Sequence, residues 1–156
     1  MSIEKAREYL KKYDLDSSIL EFDVSSATVE KAAYAIGCME AEIAKSLSFI
    51  VDEKPIIIVA SGNSKVDNSK YKAEFHTKAK MIPFDQVETM TGHAAGGVCP
   101  FGVNENVTIY LDVSLKRYET IYPACGSSNS AIKLTPEKLE EITNYDKWVD
   151  VCKEMQ

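Results

Sequence analysis

The sequence has little of what metal sites and disulfide frameworks are built from. Its 156 residues include two histidines, His76 and His93, which form no HxH or HxxxH pair. Its four cysteines are widely separated and form no CxxC pair, a spacing that fits neither a zinc ribbon nor a disulfide framework. We therefore expect free thiols in a reducing compartment, and neither a bound metal nor another cofactor.

The sequence also lacks long hydrophobic runs. Its longest purely aliphatic stretch, 56–60, is far shorter than the ~20 residues that a membrane-spanning helix needs. The first residues are charged and have the spacing of an amphipathic helix, which is not the pattern of a secretory signal. These absences predict a soluble, cytoplasmic protein with no membrane partner.

An excess of basic residues is missing as well. The chain has 18 Lys and Arg against 24 Asp and Glu, a formal net charge of −6. Proteins that coat nucleic acid without sequence preference are normally basic overall, so this mode of binding and DNA as a partner are not expected. A local basic patch stays open, because residues 62–83 contain five lysines and only two acids.

The hydrophobic patterns predict one α+β domain over residues 1–156, with no repeat and no linker. Helical spacing or capping residues predict helices at 3–13, at 29–36 between Thr28 and Gly37, at 39–45, within 61–80, before Gly92 and from Thr135 to the C-terminus; Asp85 and Glu88 suggest a capping box. Apolar runs predict strands at 17–23, 47–51, 56–60, 107–112, 118–123 and 131–134.

The clearest local signal is a hairpin. The runs LSFIV (47–51) and IIIVA (56–60) flank a polar connection of four residues, DEKP, and both runs are almost wholly apolar. Such strands are expected in the centre of a sheet with both faces covered. Lys45 stands at the start of this run, where a lysine either finds a partner for its ammonium or extends into solvent.

A glycine-rich loop is the most informative feature for function. Gly92, Gly96, Gly97 and Gly102 fall within eleven residues, and the loop matches neither a Walker motif nor GxGxxG. Residues 81–115 contain no Lys or Arg and four acids, so this region would repel a polyphosphate. The loop suits a small neutral or cationic group, and a purely structural turn is the alternative.

One residue of this loop is a candidate nucleophile. Cys99 follows His93 by six residues, so a thiol with a histidine base is conceivable if the fold brings the two together. No third group that would orient the base is evident in the sequence.

Three segments together resemble a known family. AKSLSFIVDEKPIIIVASG, TGHAAGGVCPFG and TIYPACGSSNSAIKLTPEKL, in this order and spacing, are similar to the YbaK family of aminoacyl-tRNA editing domains, which also occur in or beside prolyl-tRNA synthetase. The similarity covers about residues 15–139. It implies an α+β fold with a mixed, barrel-like β-sheet flanked by helices. It also implies hydrolysis of the ester that joins a wrong amino acid to the terminal adenosine of a tRNA.

The resemblance also implies roles for individual residues. Lys45 matches the family's functional lysine, which is expected to contact the aminoacylated 3′ end. Family members are thought to use no metal and no protein nucleophile, so Cys99 would line the pocket and the attacking group would be water or a group of the substrate. The remaining expected substrate contacts are Phe22, Thr91, Gly92, His93, Gly96, Gly97, Val98, Pro100 and, in a second glycine turn, Gly126.

The expected function is therefore a free-standing aminoacyl-tRNA deacylase acting in trans on mischarged tRNA. The expected tRNA is tRNA(Pro), and prolyl-tRNA synthetase is a candidate partner. Phe22, His93 and Ala131 depart from what members acting on cysteinyl-tRNA tend to have, so the edited amino acid stays open. Lys65, Lys70 and Lys72 are candidates for contact with the tRNA backbone, with a solvated helix face as the alternative. Two other functions also stay open: a Cys99/His93 thiol hydrolase and a non-catalytic tRNA- or partner-binding module.

Overall fold

The computed structural model describes residues 2–155, which form five α-helices, nine β-strands and four short 3₁₀ turns. The helices are α1 (Ser2–Lys11), α2 (Val29–Ile36), α3 (Asn68–Phe75), α4 (Val87–Thr91) and α5 (Pro136–Ile142). The strands are β1 (Leu20–Glu21), β2 (Ile43–Val51), β3 (Lys54–Ser61), β4 (Ser64–Val66), β5 (Thr108–Asp112), β6 (Tyr122–Pro123), β7 (Ser130–Ala131), β8 (Tyr145–Val149) and β9 (Cys152–Glu154).

The central sheet contains five strands in the order β6-β2-β3-β5-β8. Strands β2 and β3 are antiparallel, whereas the other neighbours in this sheet are parallel. The sheet curls into a half-barrel, and two small antiparallel sheets, β1-β7 and β4-β9, complete the fold. The predicted α+β fold with a mixed, barrel-like sheet flanked by helices is confirmed.

The β2–β3 hairpin is present, but its connection is shorter than the predicted four residues. Asp52 and Glu53 both have positive φ angles, 51° and 65°, and reverse the chain on their own. Two left-handed residues make a turn whose twist matches that of the strands. Pro55 consequently belongs to β3 and pairs with Ile50.

Strand β2 begins earlier than its apolar run indicates. The predicted helix over 39–45 is wrong except for a 3₁₀ turn at 40–42, because Ile43 pairs with Tyr122 and Ala44 with Ser61. These pairings depend on distant parts of the chain and override the local helical pattern. Lys45 is therefore the third residue of a strand and not its first.

Most predicted helix ends are observed. Thr28 caps α2 by accepting a hydrogen bond from the Lys31 amide, and Gly37 ends that helix with a φ of 84°. Thr135 caps α5 in the same way, through the Lys138 amide. The capping box predicted at Asp85 and Glu88 does not form, because a 3₁₀ turn at 84–86 precedes α4.

The C-terminal segment departs most from the prediction. The expected helix after α5 is replaced by β8 and β9, which pair with β5 and β4. The predicted strands at 17–23, 118–123 and 131–134 are shortened to β1, β6 and β7, two residues each. Strands β1 and β7 pair only with each other, and β6 pairs with the much longer β2 only at Ile43 and Ala44, so the length of each pairing limits these strands.

Strand β3 separates two hydrophobic layers. Ile57 and Val59 point into the larger core, together with Leu10, Phe101 and Leu111. The alternate residues of β3 pack in a second core, which contains Ile58, Ala60, Phe49, Tyr71 and Val151. Both faces of β3 are thus covered, as its apolar run predicts. Within residues 2–155, no helix is long and apolar enough to cross a membrane.

Candidate functional site

A cavity of about 370 Å³ lies along one edge of β2. Strand β6 covers this edge only at Ile43 and Ala44. Further along, the segment before α4 covers it again, because the Ile82 amide donates to the Ser48 carbonyl at 3.2 Å. The edge between these two contacts, residues 45–47, has no neighbouring strand, and the cavity fills this gap. Residues 43–48 all line it.

The other walls of the cavity come from four separate parts of the chain. They are largely apolar, and Lys45 is the one charged side chain among the described residues that line it. The lining residues outside β2 are Ser26–Val29 and Ala32 near the start of α2, Met81, Ile82, Phe84 and Val87 before and in α4, Ala95, Gly96 and Val98 in the glycine loop, and Tyr122, Ala124, Ser130 and Ala131.

Lys45 is half-buried, and its ammonium is held by main-chain carbonyls. Nζ donates to the carbonyl oxygens of Ser64, the first residue of β4, and, at 3.4 Å, of Gly62, in the connection from β3 to β4. Burial lowers the pKa of Lys45, because it disfavours the charged form, and this is only partly offset by nearby Cys152. An ammonium has three donors. One donor therefore has no protein partner within residues 2–155.

The glycine loop and the second glycine turn meet beside the cavity, through Gly97 and Gly126, which are not themselves among its lining residues. A Cβ atom on Gly97 would lie 2.8 Å from the carbonyl carbon of Gly126, so the two main chains are in direct contact. The Gly97 amide donates to the Ala94 carbonyl at 3.0 Å. The amides of Gly96 and Val98, which line the cavity, have no hydrogen-bond partner in the described chain.

His93 and Cys99, two of the expected substrate contacts, lie inside the protein and are not among the residues that line the cavity. Both are fully buried. His93 Nε2 lies 2.7 Å from the Phe101 carbonyl oxygen and 3.5 Å from Cys99 Sγ. Burial raises the pKa of Cys99 to about 12 and lowers that of His93. At neutral pH the pair is a buried thiol beside a neutral imidazole, which is unsuited to nucleophilic attack.

Thr91 and Gly92 shape the entry to the loop and do not line the cavity. The Thr91 hydroxyl donates to the Val87 carbonyl at 2.8 Å, and Gly92 ends α4 with a φ of 95°. Pro100 is buried outside the lining, and Phe22 is half-buried with its amide bound to the Asn129 carbonyl. These four residues therefore lie outside the cavity lining.

The three lysines proposed for the tRNA backbone are exposed and lie away from the cavity lining. Lys65 is on β4, and Lys70 and Lys72 are on α3. Lys70 is already engaged, because its Nζ lies 3.1 Å from Asp150 Oδ1 and donates to the Cys152 carbonyl. Strand β4 links Lys65 to the cavity, because the carbonyl of the adjacent Ser64 accepts a hydrogen bond from Lys45.

The sequence matches a known protein family over most of its length. The family model for the aminoacyl-tRNA editing domain matches residues 23–142. The chain belongs to this family. The match includes every cavity-lining segment, from the start of α2 to Ala131.

Individual relatives of this editing domain are found in bacteria. "Uncharacterized protein YwhH" of Bacillus subtilis (strain 168) is 47% identical over 157 residues, which span 100% of both chains. The "putative Cys-tRNA(Pro)/Cys-tRNA(Cys) deacylase EbsC" of Enterococcus faecalis (strain ATCC 700802 / V583) is 29% identical over 119 residues, 75% of this chain and 73% of EbsC. Among solved structures, a "putative trans-editing enzyme for prolyl tRNA synthetase" superposes with a TM-score of 0.86 and 26% identity, covering 97% of each chain.

One wall of the editing domain's cavity was not predicted from the sequence. Met81 and Phe84 line the cavity although their side chains are 61% and 82% exposed. The run MIPF, which contains both, has neither helical nor strand periodicity and lies between Lys80 and Asp85. An apolar run without periodicity in a polar stretch was the one signal that could have identified this wall.

Proposed function

We propose that this editing domain is a free-standing aminoacyl-tRNA deacylase that hydrolyses the ester of mischarged tRNA(Pro) in trans. The observation that carries the proposal is that Lys45, Gly96 and Val98 line one cavity, and that the Gly96 and Val98 amides have no hydrogen-bond partner in the described chain. The names of EbsC and of the trans-editing structural relative support the same reaction class.

The size and polarity of the cavity suit a small amino acid on a tRNA end. A synthetase discriminates poorly against a smaller amino acid, because one methylene changes binding by only about 1–3 kcal/mol. A second site that admits the smaller amino acid and hydrolyses its ester completes the selection. About 370 Å³ of mainly apolar space is consistent with such a site.

In the proposed mechanism, the protein binds and polarises the ester. Lys45 donates its remaining N–H to an oxygen of the aminoacylated 3′ end, and the Gly96 and Val98 amides stabilise the negative charge that develops on the carbonyl oxygen. The Gly97 amide has no such role, because it is bound to Ala94.

The proposed bond changes need no covalent enzyme intermediate and no metal ion. The oxygen of a water molecule, or a nucleophilic group of the substrate, bonds to the ester carbonyl carbon. The bond to the ribose oxygen then breaks, and that oxygen takes up the proton that the nucleophile releases. Cys99 does not attack, because its thiol is fully buried and its pKa is raised to about 12. Within residues 2–155, no group of three His, Cys, Asp or Glu residues could hold a metal ion.

The decisive experiment is deacylation of tRNA(Pro) charged separately with Cys, Ala, Ser and Pro, with and without EDTA. We expect release of at least one non-cognate amino acid, sparing of Pro-tRNA(Pro), no effect of EDTA, and loss of activity in Lys45→Ala. Lys54→Ala, at the exposed start of β3, is the matched control and should be fully active. Near-normal rates in Lys45→Ala would refute the assigned role, and tight tRNA binding without hydrolysis would favour a non-catalytic module.

We also propose prolyl-tRNA synthetase as the partner whose errors this protein corrects. The name of the solved trans-editing relative supports this partner. Adding the protein to a misacylation assay with the synthetase should lower the accumulation of mischarged tRNA(Pro) without changing that of Pro-tRNA(Pro). Equal accumulation with and without the protein would contradict the proposal.

A further inference from the structure

Phe84 lies at the mouth of the cavity with most of its ring in solvent. Its side chain is 82% exposed, yet the residue is part of the cavity lining. Tyr34 is as exposed, at 84%, but does not line the cavity. Phe84 is thus a large apolar surface directly beside the space where the proposed ester would bind.

The main chain under this ring is firmly held. The Ile50 amide donates to the Lys80 carbonyl at 2.8 Å, and the Ile82 amide donates to the Ser48 carbonyl at 3.2 Å. Pro83 follows with its restricted φ angle, and its carbonyl accepts the Gln86 amide at 2.8 Å. The segment is therefore anchored to the edge of β2, while the ring of Phe84 remains largely uncovered by protein.

We propose that Phe84 is the stacking platform for the terminal adenine base of the tRNA, an inference that rests on the proposed function. The amino acid fills the cavity and is esterified to the terminal ribose, so the attached base must lie at the mouth. Proteins bind unpaired bases by stacking them on aromatic rings.

The charges around Phe84 favour a base over a phosphate as its occupant. Residues 81–115 contain no Lys or Arg, and Asp85 and Glu88 follow the ring closely. A phosphate would be repelled here, whereas a neutral base is not. The nearest basic residues in sequence are the exposed Lys78 and Lys80, before the ring.

Fluorescence tests this contact without relying on catalysis. In Phe84→Trp, adding the uncharged trinucleotide CCA should quench the new indole, while CC ending in an abasic ribose should not. Tyr34→Trp is the matched control, and its emission should not change. Trp148 lies outside the cavity lining and provides a constant background. Equal emission of Phe84→Trp with and without millimolar CCA would overturn the proposal, whether or not the protein deacylates tRNA.

Kinetics give an independent readout. Phe84→Ala should raise KM for the mischarged tRNA by about 5- to 100-fold with little change in kcat, because stacking is lost equally in the ground and transition states. Phe84→Tyr should restore KM, and Tyr34→Ala should leave it unchanged. An unchanged KM in Phe84→Ala refutes the stacking contact while leaving the deacylase proposal intact. If wild type deacylates none of the charged tRNAs, the proposed function fails and the fluorescence result decides on base binding.

Discussion

Gly97 lies directly against Gly126. A Cβ atom at position 97 would come within 2.8 Å of the Gly126 carbonyl carbon and of the Ser127 main chain. Two glycine turns that are distant in sequence therefore pack main chain against main chain. This contact sets the position of Gly96 and Val98 in the cavity wall, so a glycine outside the cavity determines its shape.

Replacing Gly97 tests this relationship. Gly97→Ala should destabilise the protein by about 1–3 kcal/mol, because the added methyl group has no space and the two turns must separate. Deacylation should fall more steeply than stability, since the Gly96 and Val98 amides move with the loop. Urea unfolding and single-turnover deacylation under conditions where the variant is folded measure the two effects separately.

Gly37→Ala is the control for a backbone effect without a steric one. Gly37 ends α2 with a φ of 84°, and a methyl group added to it would meet no atom within 4 Å. The substitution should cost about 1–2 kcal/mol of stability through its left-handed conformation, with unchanged kcat. Full activity in Gly97→Ala would show that the contact between the turns does not shape the site.

The buried thiol leads to a prediction about alkylation. Burial raises the pKa of Cys99 to about 12, so almost no thiolate exists at neutral pH, and the side chain is inaccessible. Iodoacetamide at pH 7 should leave deacylation intact, and Cys99→Ala should retain kcat with a modest loss of stability. Rapid inactivation that is abolished in Cys99→Ala would instead support a thiol hydrolase built on Cys99 and His93.

The sequence predicted those parts of the fold that depend on local chemistry. Thr28 and Thr135 accept hydrogen bonds from amides three residues away, and Gly37 ends α2 through its own positive φ angle. All three lie at the predicted helix ends. Parts that depend on distant partners were not predictable in this way. Strand β8 lies in a charged C-terminal segment that was predicted to be helical, although Tyr145, Trp148 and Val149 favour strands. It forms because it pairs with the edge of β5.

The same distinction applies to the site. Lys45 and the glycine loop could be identified because a lysine in an apolar run and clustered glycines are unusual in themselves. The burial of His93 and Cys99 could not be predicted from the sequence. Both contact the carbonyl of Phe101, which belongs to the hydrophobic core and is buried by residues distant in sequence. The position of Phe84 beside the cavity could not be predicted either, because it depends on the unpaired edge of β2.

The lowered pKa of Lys45 predicts a pH dependence of stability. The folded state holds the Lys45 proton less tightly than the unfolded chain, whose value is near 10.5. Between these two pKa values the unfolded state binds more protons, so stability rises with pH through this window. We therefore expect the difference in free energy of unfolding between wild type and Lys45→Met to shift in favour of wild type as pH rises, and to level off above 10.5.

Urea unfolding of both proteins from neutral to alkaline pH measures this difference. Titration of the tyrosines and of the other cysteines contributes equally to both proteins and cancels. Cys152 interacts with Lys45, but burial raises its pKa to about 12, so the folded thiol titrates above this window. Lys54→Met should follow the wild-type curve in parallel, because Lys54 is exposed. A wild-type minus Lys45→Met difference that stays flat across the range would mean that the ammonium is better solvated than its burial indicates.

The basic segment beside Lys45 predicts a salt-dependent contribution to tRNA affinity. Replacing Lys65, Lys70 and Lys72 together with alanine should weaken binding of tRNA(Pro) at low salt and reduce the slope of log Kd against log salt by up to about 2 to 3, if each lysine neutralises one phosphate. Among single variants, Lys70→Ala should have the smallest effect, because Lys70 already pairs with Asp150.

The matched control is a triple variant of Lys11, Lys12 and Lys138, which lowers the net charge equally but lies at the end of α1 and on α5. If tRNA follows the path from the cavity along β4 and α3, the control should retain the wild-type slope. Unchanged affinity of the Lys65, Lys70 and Lys72 variant at low salt would remove this surface from the tRNA path. An equal effect of both triple variants would show that overall charge, and not this surface, governs binding.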